Sequence, residues 1–91
     1  MEHIKNKTLI ITGASQGIGE ATARLFAKLG ANVALIARSK EKIEKISTDI
    51  NSNGGKSIAI KCDVSKPDEV ENAIKVTLKS YSSINILIGN A

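Results

Sequence analysis

Aromatic side chains are nearly missing from this 91-residue chain, which has no tryptophan, one phenylalanine (Phe26) and one tyrosine (Tyr81). Proteins that hold single-stranded nucleic acid stack its bases on aromatic platforms, and that mode has almost nothing to work with here. The formal net charge of +4 does not restore it, because the lysines are scattered among acids and form no basic stripe. No nucleic-acid partner is expected. Cysteine is as scarce: Cys62 alone excludes an internal disulfide, and with the single histidine, His3, it cannot make a recognisable zinc site. No metal is expected. No apolar run approaches the roughly 20 residues of a membrane span, and Met1 to Lys7 is polar where a signal peptide needs an apolar stretch. No membrane partner and a cytoplasmic location are therefore expected. The length allows at most one domain. What remains, 42% hydrophobic and 24% charged residues, is the composition of an ordinary folded chain.

Two periodicities alternate along it. Thr8 to Thr12 carries the continuous apolar run Leu9-Ile10-Ile11, the pattern of a strand buried on both faces. Ile18, Ala21, Leu25, Phe26 and Leu29 then recur at helical spacing, and Gly30 follows where a helix C-terminal glycine belongs. Val33 to Ala37 is a second apolar strand. Ser39 is placed to cap a helix whose inward stripe is Ile43, Ile46 and Ile50, with Glu41 and Lys45 as an exposed i, i+4 pair and Asn53-Gly54-Gly55 as its end. Ser57 to Lys61 reads as a third strand, with Ile58 and Ile60 on one face and Ser57 and Lys61 among the polar positions, a composition that suits a sheet edge. Ser65-Lys66-Pro67-Asp68 matches a capping box, and Val70, Ala73, Ile74, Thr77, Leu78 and Tyr81 form the stripe of a third helix. Ile84 to Ile88 is a fourth strand.

Short strands alternating with helices require right-handed crossovers and a parallel sheet. The expected fold is α/β, a Rossmann-type doubly wound parallel sheet in partial form, βαβαβαβ with strand order 3-2-1-4. That order leaves the fourth strand as an apolar edge, which invites self-association.

Gly13, Gly17 and Gly19 lie between the first strand and the first helix. At such a junction one glycine allows a tight turn, another lets a phosphate approach the backbone, and a third lets the helix pack close to the sheet. The free amides and dipole at the helix start then face a pyrophosphate. A plain strand-to-helix turn with incidental glycines is the competing reading.

The run Thr12-Gly13-Ala14-Ser15-Gln16-Gly17-Ile18-Gly19 resembles the cofactor motif of the short-chain dehydrogenase/reductase (SDR) family. The match extends along the chain: Cys62-Asp63-Val64 after the third strand and Asn90-Ala91 after the fourth resemble that family's further cofactor contacts. The resemblance implies that Gly13, Ser15, Gln16, Gly17, Ile18 and Gly19 meet the cofactor and that Asp63 accepts from the adenine amino group. Cys62 and Val64 would act through backbone and packing. By local pattern alone Asp63 is equally a turn residue, and Ser15 and Ser39 are helix-start residues that could also reach a phosphate or ribose. Gly89 departs from the family's pattern, standing where an asparagine is typical.

An Asp or Glu about 20 residues past the glycines usually meets a free ribose hydroxyl. Here Ala37-Arg38-Ser39 stands in that place. With no carboxylate to repel it, a 2′-phosphate can take a forked, charge-assisted contact from Arg38, so NADP is expected over NAD. Arg38 as a solvated loop cation is the bland alternative.

The resemblance also implies hydride transfer between the nicotinamide and a small-molecule carbonyl or alcohol, assisted by a Ser, a Tyr and a Lys in YxxxK. None of these can be named here. Tyr81 is followed four residues on by Asn85 and lies on the apolar stripe of the third helix, so no catalytic residue is assigned. Residues 1–91 are therefore expected to be the N-terminal part of a single NAD(P)-binding domain whose catalytic part lies elsewhere, in a parent that the resemblance makes a homo-oligomer. A stand-alone dinucleotide-binding or interaction module without catalysis is the alternative.

Overall fold

The computed structural model describes residues 3–90. Its elements run β1 (Thr8–Thr12), α1 (Gly17–Lys28), β2 (Asn32–Ala37), α2 (Lys40–Ser52), β3 (Lys56–Lys61), α3 (Pro67–Tyr81) and β4 (Ile86–Ile88). The strands form one sheet in the order β3-β2-β1-β4, with every pair parallel. Leu9 is in register with Val33 on one side and with Ile86 on the other. Among the described residues no helix is long and apolar enough to cross a membrane.

Alternation along the two central strands divides the core into two layers. Leu9, Ile11, Val33 and Leu35 point to the α1/α2 side, where they meet Ala23, Ala27, Ile43, Ile46 and Ile50. Ile10, Ala34 and Ile36 point the other way, toward Ile60, Cys62 and Ala73. Each fully buried aliphatic side chain contributes about 1.5–3 kcal/mol, and the central strands have no solvated face.

The α2 stripe of Ile43, Ile46 and Ile50 is buried as expected. The α1 stripe is not the expected one. Its buried residues are Gly19, Ala23 and Ala27, while Ile18 (77%) and Leu25 (53%) are exposed and Ala21 also faces outward. The reason is the close approach of α1 to the sheet. At that distance only small side chains fit, so the larger ones turn aside, with Phe26 and Leu29 half-buried.

Two capping expectations also give way. Ser39 is the N-cap of α2 but makes no side-chain cap bond. At α3 the N-cap is Lys66 with Pro67 at the first turn, and the Ser65 hydroxyl donates to Asp63 Oδ1 at 2.7 Å instead. Glu41 and Lys45 are both exposed and are not among the ion pairs of the described residues. Ser57 is polar but buried, with its hydroxyl 2.7 Å from that of Ser47.

The α3 stripe is only half used. Ala73 and Thr77 are buried, whereas Ile74 (41%) and Leu78 (42%) stay exposed, because α3 is the one described helix on its face of the sheet and overhangs it. β4 begins at Ile86, later than the expected Ile84, because Asn85 replaces ladder pairing with its side chain. Thr8 N–H donates to Asn85 Oδ1 at 2.8 Å, and Asn85 N–H returns a bond to the Thr8 carbonyl at 2.9 Å.

Candidate functional site

The carboxyl ends of all four strands open on one cleft of about 640 Å³. Gly13, Ser15, Gln16, Gly17 and Ile18 line it from the β1–α1 turn, Arg38 and Ser39 from the end of β2, Cys62, Asp63 and Val64 from the end of β3, and Asn90 from the end of β4. Gly19 does not line the cleft; it is buried beneath it. Ala91 lies outside the described residues.

The glycine turn is shaped by a close backbone approach. Asn90 N–H donates to Thr12 Oγ1 at 3.0 Å, which brings the end of β4 over the turn. A Cβ on Gly13, whose φ is +63°, would collide with the Asn90 carbonyl. A Cβ on Gly19 would strike the Gly13 carbonyl and lie 2.7 Å from Asn90 Nδ2. Both positions therefore exclude any side chain. Gly17 differs, since nothing lies within 4 Å of where its Cβ would stand, and the backbone there is open to the cleft.

α1 starts beside that open backbone. Gln16 is its N-cap in an extended conformation and makes no side-chain cap bond. The first helical bond runs from Glu20 N–H to the Gln16 carbonyl at 3.3 Å, so the amides of Gly17, Ile18 and Gly19 have no partner within the helix. Free amides at the positive end of a helix dipole suit an anion.

The opposite wall is charged. Arg38 follows β2, and Lys42, one helical turn on, also lines the cleft. Lys42 was not legible as a site residue, because only its place in the first turn of α2 brings it to the cleft. Asp63 faces them across the base of the cleft. Its carboxyl is held below the usual carboxylate range, first by the Ser65 hydroxyl and amide and then by the nearby charges of Arg38 and Lys66. The Cys62 thiol is pushed up by burial and by the charges of Glu69 and Asp63, so it stays protonated and acts as packing. Thr12, Ile36, Ala37 and Ser65 complete the lining. Tyr81 is not part of it; its side chain is half-buried on α3, and burial raises its phenol above the ordinary value.

Sequence comparison matches residues 7–91 to the family described as short chain dehydrogenase. An uncharacterized oxidoreductase of Listeria monocytogenes is 44% identical over 88 residues, covering 97% of this chain and 36% of the relative. The chain thus spans little more than a third of the length of that relative. Among solved structures, a metagenomic short-chain oxidoreductase in complex with NADP superposes with a TM-score of 0.88 at 34% identity, covering 96% of this chain and 39% of the other. A 3-ketoacyl-(acyl-carrier-protein) reductase from Brucella melitensis complexed with NADH does so with a TM-score of 0.86 at 33% identity, covering 92% and 34%. With the parallel 3-2-1-4 sheet, the glycine turn and the matched residues in agreement, this chain belongs to the short-chain dehydrogenase/reductase family.

Proposed function

We propose that residues 1–91 are the NADP(H)-binding portion of a single Rossmann domain in a short-chain oxidoreductase. The complete enzyme would reduce a carbonyl or oxidise an alcohol of a small-molecule substrate. The observation that carries this reading is one cleft in which a helix start with free amides faces a pair of cations, Arg38 and Lys42, with no carboxylate at the end of β2.

The residues fit a dinucleotide. The amides of Gly17 and Ile18 would hold the pyrophosphate, with Gly17 leaving room for it and Gly13 and Gly19 keeping the turn and helix close. Arg38, supported by Lys42 and Ser39, would take the 2′-phosphate. Ser15 and Gln16 would contact the phosphates and ribose. Asp63, with Cys62 and Val64 beside it, would receive the adenine, and Asn90 would close the cleft from the end of β4. When bound, the nicotinamide supplies the hydride. This chain's part is to bind and orient it; the proton-transfer Ser, Tyr and Lys belong outside these residues. The parent is proposed as a cytoplasmic homo-oligomer with no nucleic-acid or membrane partner.

Fluorescence titration of the 91-residue chain tests the reading. NADPH should bind about tenfold or more tightly than NADH, and Arg38→Ala should remove most of that preference, as expected when charge-assisted bonds worth about 1.5–3 kcal/mol are lost. No turnover of a carbonyl should accompany binding. Equal affinity for the two cofactors would sink the NADP assignment, and failure to bind either would sink dinucleotide binding itself.

A further inference from the structure

The base end of the cleft is braced by a residue that does not line it. Glu69, in the first turn of α3, reaches back past the helix start, and its Oε1 accepts the Asp63 N–H at 2.9 Å. Its Oε2 lies 3.7 Å from Lys66 Nζ. Asp63 is held at three further bonds: Lys66 N–H donates to its carbonyl at 3.0 Å, and Ser65 gives its N–H at 3.0 Å and its hydroxyl at 2.7 Å, both to Oδ1.

These bonds leave two polar groups free. Asp63 Oδ2 and the Val64 N–H make no hydrogen bond within the described residues, and both residues line the cleft. An acceptor beside a donor is the complement of adenine, which offers its amino group as a donor beside an unprotonated ring nitrogen. Hypoxanthine reverses that pattern, with an oxygen in place of the amino group and a proton on the ring nitrogen. Facing it, both free groups would be mismatched. A site built to hydrogen-bond one polar pattern disfavours its reverse, because the groups that the seated base covers are then left unpaired.

We propose that Glu69 is a positioning residue for base selection: by fixing the Asp63 backbone it aims Asp63 Oδ2 and the Val64 amide so that the cleft prefers an adenine dinucleotide over its hypoxanthine counterpart. The inference rests on the dinucleotide reading above. A glutamate in the first turn of a helix also serves as an ordinary cap, and capping alone would alter stability without altering which base is chosen.

The test is a fluorescence titration of the whole chain with NADPH and with reduced nicotinamide hypoxanthine dinucleotide phosphate. Wild type should prefer the adenine form about tenfold or more. Glu69→Ala should weaken NADPH about tenfold and the hypoxanthine form far less, collapsing the ratio. Glu69→Gln keeps a carbonyl acceptor at the same reach and should restore the ratio, while Glu71→Ala, which removes an exposed ion pair with Lys75 on the same helix, should leave it unchanged. Equal weakening of both ligands in Glu69→Ala, an unchanged ratio, or a Glu69→Gln that behaves like the alanine variant would overturn the proposal. If Glu69→Ala loses its fold by circular dichroism, Ser65→Ala takes its place: it removes the hydroxyl bond to Oδ1, leaving the backbone amide as that oxygen's one donor, and must lower the ratio, and an unchanged ratio there would overturn the proposal equally. A wild type that binds both forms alike overturns this inference and leaves the cofactor reading standing. A wild type that binds neither removes the cofactor reading and this inference with it.

Discussion

The two faces of the sheet are built to different standards of closure. On one, α1 and α2 pack Ala23, Ala27, Ile43, Ile46 and Ile50 onto Leu9, Ile11, Val33 and Leu35. On the other, α3 alone covers a smaller cluster, Ile74, Leu78 and Leu87 stay exposed, and Ile74 and Leu87 border a mostly apolar hollow of about 130 Å³. The difference teaches where the chain's stability and its stickiness reside. The closed face carries α1 and α2, whose first turns line the glycine-turn and Arg38 walls of the cleft, so those two walls rest on the firmer half. The open face offers an apolar edge strand with nothing charged on it.

The sharpest way to break this comparison is to cut equal amounts of side chain from the two faces. Ile43→Ala removes a fully buried side chain and should cost about 2–5 kcal/mol in urea unfolding. Leu87→Ala, at 69% exposure, should stay within about 0.5 kcal/mol. Equal losses would show that the faces do not differ as described. A second prediction concerns association. The chain should self-associate at micromolar concentration through the β4 edge, and Leu87→Lys should shift sedimentation toward the monomer, since edge lysines block strand pairing. A monodisperse wild-type monomer would refute it.

The smallest effect lies at the cleft. Asp63 titrates below the ordinary value of 3.8, so its ionised form is favoured in the folded state. That contribution is complete above about 3.8 and is lost as pH falls through the lower folded value. Ser65→Ala removes the leading cause and should move the titration back up toward 3.8. Carboxyl carbon NMR shifts followed against pH measure this directly, and an unmoved midpoint would show that Ser65 is not the cause.

Much of this was legible in the residues, and the exceptions share one kind of cause. Strands β1 and β2 announce themselves because both faces are buried and the apolar run is continuous. α2 does so because three isoleucines at helical spacing are buried against the sheet. α1 misleads because its register is set by a close backbone approach: Gly19, where any Cβ would strike the Gly13 carbonyl, fixes which side turns inward, and the larger apolar residues lose to alanine. At β4, the Asn85 side chain imitates a strand backbone, and no periodicity records that. The glycine turn, Arg38 and Asp63 stood out as candidates by residue type and position. Lys42 and Glu69 did not, since each matters only through where a helix start places it.

The bond between Asn90 and Thr12 joins residues 78 apart, and this has a consequence in time. β1, α1 and β2 are neighbours in sequence and can pair early, but the floor of the glycine turn is completed only when β4 returns to it. Long-range closures of this kind are slow relative to local ones, and a chain leaving the ribosome emerges from its amino terminus first. A nascent chain therefore carries an unfinished cleft until β4 and Asn90 are out. Completion of the cleft is timed by the arrival of β4, however early the glycines themselves are made.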